Sequence, residues 1–208
     1  MKATALLCLV AVSLLAAGSP SRGAQSPADP FTYEAPKDWK PERIPFPLDF
    51  APSLPYKGFE QLHFAPGMFD PKSEQYFTYV FFWWIEGEPR VTEATLARDL
   101  TDYYKGLCAA VAGPKKMTLD LSKVSAKIEP AAAGQSGSPY PTERFAGVVN
   151  AFDPFNTGQP IALNVEVSAW RCDRENHTCI FFCVSPKPTD APEWAPMRTA
   201  LASFRCRR

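Results

Sequence analysis

Surplus charge of either sign is the first thing this chain lacks. Its 208 residues include 22 basic and 22 acidic side chains. Such a balance offers no electrostatic footprint for nucleic acid or for anionic lipid. Histidine is scarce, with only His63 and His177. There is no His-Glu-x-x-His helix, no Gly-x-Ser-x-Gly elbow and no phosphate-binding glycine loop, so the motif-bearing enzyme classes are excluded. No Cys-x-x-Cys pair occurs, which argues against a zinc site. Neither a metal nor a cofactor is expected. No internal repeat is present. Beyond the first 18 residues, no apolar run approaches the roughly 20 residues that a membrane span needs, so no integral membrane protein is expected.

The N-terminus has the pattern of an export signal. Met1-Lys2 is a short basic start, Ala3 to Ala17 is apolar except for Thr4 and Ser13, and Ala16, Ala17 and Gly18 suit a signal peptidase. We read residues 1–18 as a signal peptide and 19–30 as a disordered lead. Residues 31–208 then form a single domain, long enough to bury a core of its own. The implied location is secreted or periplasmic.

The richest stretch is Tyr76-Phe77-Thr78-Tyr79-Val80-Phe81-Phe82-Trp83-Trp84-Ile85. It holds no charge, and both parities are apolar. Alternate side chains of a strand point to opposite faces, so both faces demand cover. Aromatic and β-branched content favours strand over helix. The expectation is a central strand with other elements packed on each side.

Other elements follow from their own patterns. Phe31–Pro36 reads as a first strand. Residues 40–57, with five prolines, read as an irregular wrap that can include an edge strand. Thr92 caps a helix whose Leu96, Leu100, Tyr103, Tyr104, Leu107, Cys108 and Val111 form one stripe, with Asp99, Asp102 and Lys105 facing away. Gly113-Pro114 ends it. Met117–Leu121 and Val124–Ile128 alternate as strands. Residues 144–152 and 161–171 form a hairpin pair, and 179–184 a last strand. Pro196 opens a final helix. Strands in runs rather than in strict alternation with helices give an α+β class: a mainly antiparallel sheet of about six or seven strands, one mid-chain helix and one C-terminal helix.

Without Cys8, five cysteines remain: Cys108, Cys172, Cys179, Cys183 and Cys206. An exported chain favours disulfides, and an odd count leaves one thiol over. A charged loop from Asp173 to Thr178 separates Cys172 from Cys179, so a cross-strand bridge between them is expected. Closing so short a loop is worth roughly 2–3 kcal/mol. That register sets Trp170 opposite Phe181 and Ser168 opposite Cys183. A second bridge is expected among Cys108, Cys183 and Cys206, with the pair left open.

The strand leading to Trp39, the aromatic strand, the helix over 92–112 and the last strand followed by a helix at 196–204 together resemble the PsbP-like α/β sandwich family in element order. The resemblance implies a small binding or accessory module rather than an enzyme. From the residues, three readings stand. The first is a non-catalytic binding or accessory domain with an aromatic contact surface built from Trp83, Trp84, Trp170 and Phe181, taking a protein or a small apolar ligand. Trp170 is the expected exposed anchor. The second is a secreted hydrolase using carboxylates such as Glu60 and Glu86. The third is a structural subunit joined to a partner through the odd cysteine. Both histidines are expected at the surface, and Asn176-His177-Thr178 fits a glycosylation acceptor.

Overall fold

The computed structural model describes residues 29–131 and 140–207. The expected signal peptide and most of the expected lead lie outside the described residues. Strands β2 (Lys40–Pro45), β3 (Gly58–Phe64), β4 (Tyr79–Glu86), β5 (Ser125–Pro130), β6 (Glu143–Phe152), β7 (Pro160–Cys172) and β8 (His177–Ser185) make one antiparallel sheet. Its order is β2-β3-β4-β8-β7-β6-β5. Strands β1 (Phe31–Thr32) and β9 (Arg205–Cys206) form a separate two-stranded ribbon. Helices α1 (Glu93–Ala112) and α2 (Trp194–Ser203) complete the described elements. This is an α+β fold built mainly on an antiparallel sheet.

The aromatic strand β4 is interior to the sheet, between β3 and β8, and Tyr79–Ile85 is buried throughout. Its odd positions Tyr79, Phe81, Trp83 and Ile85 join one core, and Val80, Phe82 and Trp84 join the other. The strand starts later than its composition suggests. Phe77 takes a left-handed backbone with φ 50° and closes a turn on Met68.

Helix α1 covers the first face. Thr92 and Thr95 cap it reciprocally, each backbone N–H donating to the other's side chain. Leu96, Leu100, Tyr103, Tyr104 and Cys108 are its buried stripe. Asp99 departs from expectation: it is buried, accepting from Tyr56 Oη and from Arg98 at 2.8 Å. The proline-rich wrap lies on the same side and sinks Leu48, Ala51 and Leu54 into this core. A Cβ on Gly106 would sit 1.8 Å from Phe50 O, so glycine there lets wrap and helix touch backbone to backbone. The edge strand β2 holds Pro41 and Pro45, where a missing N–H costs no ladder bond.

Helix α2 and the β1–β9 ribbon cover the second face. Phe31, Trp194, Met197, Ala200 and Phe204 pack there on Phe82, Trp84, Trp170 and Phe181. Pro196 lies in the first turn of α2 as its third residue, two positions later than expected. The alternating segment Met117–Leu121 is not a strand. Asp120 instead caps a 3-10 turn over Leu121–Lys123, accepting from Ser122 N at 3.2 Å.

The disulfide differs from expectation. Cys172 bonds to Cys206, with Cα atoms 5.7 Å apart, and Cys179 is a buried free thiol. The reason is register. A 3-10 turn at Asp173–Glu175 and left-handed Asn176 take up only four residues, so Cys172 faces His177. Cys179 then faces Trp170, and Ser168 faces Phe181, a shift of two residues that keeps each side chain on its predicted face. The returning β9 brings Cys206 to Cys172 instead. Cys108 and Cys183 also remain thiols, in the two different cores.

Candidate functional site

All four aromatic candidates are buried. Trp83 points under α1, while Trp84, Trp170 and Phe181 point under α2. Trp170, the expected exposed anchor, is only 3% exposed. Tyr140 stacks on it at 6.1 Å between centroids, and Phe204 meets it edge-on at 5.0 Å. Trp84 lies between Phe31 at 4.9 Å and the His177 ring at 5.0 Å. These rings hold the two layers together, and none presents a face to solvent. The only large apolar side chain exposed among the described residues is Phe69, which packs on Phe64 and Phe155.

Glu60, the first carboxylate candidate, is fully buried. It enters the α1 core because its parity on β3 sets it across from Trp83. Trp83 Nε1 donates to its Oε1 at 3.2 Å, and the Tyr103 hydroxyl stands beside the carboxyl. Oε2 has no hydrogen-bond partner among the described residues. Burial pushes this acid up to about 8, against the lowering pull of Trp83 and Tyr103. Glu86 is exposed at the end of β4, on the opposite parity. The sheet therefore stands between the two, and they cannot flank one substrate. Asp102 accepts from Ser53, and Glu166 is held by Arg198.

His63 is buried, contrary to the surface position expected of it. It shares a hydrogen bond with Tyr33, and burial together with the nearby Arg43 charge lowers it to about 4. His177 is half-buried and bonded through Nδ1 to Glu175 O. The free thiols Cys108, Cys179 and Cys183 are all buried, and burial raises each. A thiol in such surroundings is neither a nucleophile nor a link to a partner chain.

Two surface clefts stand out among the described residues. One, of about 380 Å³, lies between the Glu88–Val91 segment and the end of β7. Its Arg171 is committed to Asp173 at 3.0 Å and Glu88 at 3.4 Å. The other, of about 490 Å³, follows from unequal cover. Helix α2 has ten residues and rests chiefly on β8. The outward parity of β6 and β7 is left beside it as a floor of Arg144, Ala146, Glu166 and Ser168. Arg198, Thr199, Leu201 and Ala202 of α2 form the wall. Across the floor, Arg198 forks onto Glu166 at 2.6 and 3.1 Å and reaches Thr189 O at 2.7 Å. Glu166 and Ser168 alternate with the apolar Val165, Val167 and Ala169 along β7, a pattern visible in the sequence; that α2 is too short to roof them is a tertiary fact with no local signal. No protein-family model, curated protein or solved structure matches the chain. No helix among the described residues is long and apolar enough to cross a membrane.

Proposed function

We propose that this chain is an exported, non-catalytic binding or accessory domain whose ligand seat is the cleft between α2 and the uncovered outer strands. The observation that carries this reading is the unequal cover of the sheet. One face is closed by α1 and the wrap, while the other ends in a cleft of about 490 Å³ with a rigid strand floor. That volume lies in the range of small-molecule sites, and sites built on strands hold their geometry well. The export-like N-terminus and the disulfide support an oxidising destination. The resemblance of the element order read from the sequence to PsbP-like modules supports the same reading. The candidate acids Glu60 and Glu86 lie on opposite faces of the sheet, which favours binding over carboxylate-pair hydrolysis.

The test uses the neutral dye N-phenyl-1-naphthylamine, which brightens in apolar sites. Saturable brightening with the native protein, abolished by Ala146→Trp on the cleft floor, is the expected result. Ala146 is half-exposed on a strand, where tryptophan is tolerated. Brightening that Ala146→Trp leaves unchanged places the dye elsewhere and removes the assignment.

A further inference from the structure

We infer that the cleft between α2 and β6–β7 takes a small organic anion, a carboxylate or phosphate head on an apolar body, with Arg144 as the residue that fixes the head. This rests on the reading of the cleft as the ligand seat and names the ligand class.

The argument is a charge inventory of one sheet face. On the outward parity of β5, β6 and β7 stand Lys127 and Glu129, then Arg144, then Glu166. Lys127 pairs with Glu129 at 2.8 Å, and Arg198 pairs with Glu166 at 2.6 Å. Each carboxylate thus has its own cation. Arg144 is left over: its side chain has no hydrogen bond or ion pair among the described residues, yet it is half-buried. Residues 132–139 carry no acidic side chain that answers it. A second guanidinium sits at the C-terminal end of α2, next to the wall residue Ala202. Arg205 Nη1 gives its hydrogen bonds to Ala202 O at 2.7 Å and Phe204 O at 2.8 Å, with no carboxylate on it. It offsets the partial negative charge at the C-terminal end of α2, which would otherwise repel an anion.

The remaining lining fits an amphipathic molecule. Ser168 lies directly across the strand pair from Arg144, so hydroxyl and guanidinium share one end of the floor. Leu201, Ala202, Ala146 and Ala131 give an apolar wall and bed. A planar, five-donor guanidinium matches a carboxylate or phosphate by paired hydrogen bonds. Partial enclosure strengthens that bond relative to one in open water.

The experiment is a titration of the isotopically labelled protein with octanoate, octanol and octylammonium, followed by amide chemical shifts. Octanoate is expected to shift Ala146, Ser168, Leu201 and Ala202. It is expected to bind at least about tenfold more tightly than octanol, with octylammonium weakest. Arg144→Gln should remove that tenfold advantage, and Arg144→Lys should restore part of it, with the unfolding midpoint unchanged in both. Equal octanoate and octanol affinity, or an Arg144→Gln variant that binds octanoate like the native protein, overturns the anion class while leaving the cleft as a ligand seat. No shift at these amides with any of the three overturns both.

Discussion

Glu60 is an acid enclosed between Trp83 and Tyr103, and His63, three residues along the same strand, is a base enclosed on the other side of the sheet. Their effects on stability have opposite signs. The folded state holds the Glu60 proton up to about pH 8, while an unfolded glutamate loses it near 4.5. Stability from Glu60 is therefore complete at low pH and falls as pH rises, by at most ~1.4 kcal/mol per pH unit. His63 is lowered to about 4 from 6.5, so its contribution is complete above 6.5 and falls as pH drops towards 4. Between about pH 4.5 and 6.5 the two slopes oppose. Above 6.5 only Glu60 is still releasing its proton on unfolding. Urea midpoints should stay nearly level across pH 5 to 6 and then decline to pH 8. Glu60→Gln should abolish the decline and uncover the rise between pH 4 and 6.5 that belongs to His63. A decline above pH 6.5 that persists in Glu60→Gln belongs to another group.

At the level of elements, the contact between α1 and the wrap depends on what Gly106 lacks. Alanine would gain up to ~1 kcal/mol of helix preference there. Its Cβ would meet Phe50 O at 1.8 Å, and backbone cannot swing aside as a side chain can. Gly106→Ala should destabilise the protein by about 1–3 kcal/mol in chemical denaturation. Thr92→Ala, which removes the reciprocal cap, should cost ~1 kcal/mol with no change in the packing of the wrap. The same contrast explains what was legible in the sequence. Thr92 and the stripe from Leu96 to Cys108 announce α1 because capping and helical periodicity are local. The two-faced apolar pattern of 79–85 announces a mid-sheet strand for the same reason. Register is not local. The hairpin at 173–176 could close in more than one way, and its actual turn moved every cross-strand partner by two, sending Cys172 to Cys206. The helical pattern turns Asp99 outward because charge normally signals exposure, and nothing local to Glu60 announces its burial; Tyr56 and Trp83, which accommodate the two acids, are 43 and 23 residues distant. The polar alternation of Glu166 and Ser168 along β7 is local and legible, but the cleft above them exists only because α2 stops short.

Across the whole molecule, the two faces of the sheet are secured by different means. The first face is closed by a helix of 20 residues and by the buried wrap. The second is closed by ten helical residues and a ribbon of two residues per strand, tied to β7 by Cys172–Cys206. A ribbon that short cannot hold itself, so the bridge does what ladder length does elsewhere. It spans a sequence separation of 34, for which chain entropy gives a stabilisation of about 3–4 kcal/mol. If that free energy is spent on keeping the second face shut, its loss should appear there first. Cys206→Ser should raise amide exchange in β1, β9 and α2 by roughly 10²- to 10³-fold, the same free energy expressed as an opening constant. Amides of α1 and β3 should change less. The cleft shares its wall with α2, so ligand affinity should fall along with that protection although neither cysteine lines the cleft. Equal acceleration on both faces would mean that the sheet opens as one cooperative unit, and the cleft would then draw its rigidity from the whole core rather than from one bond at its margin.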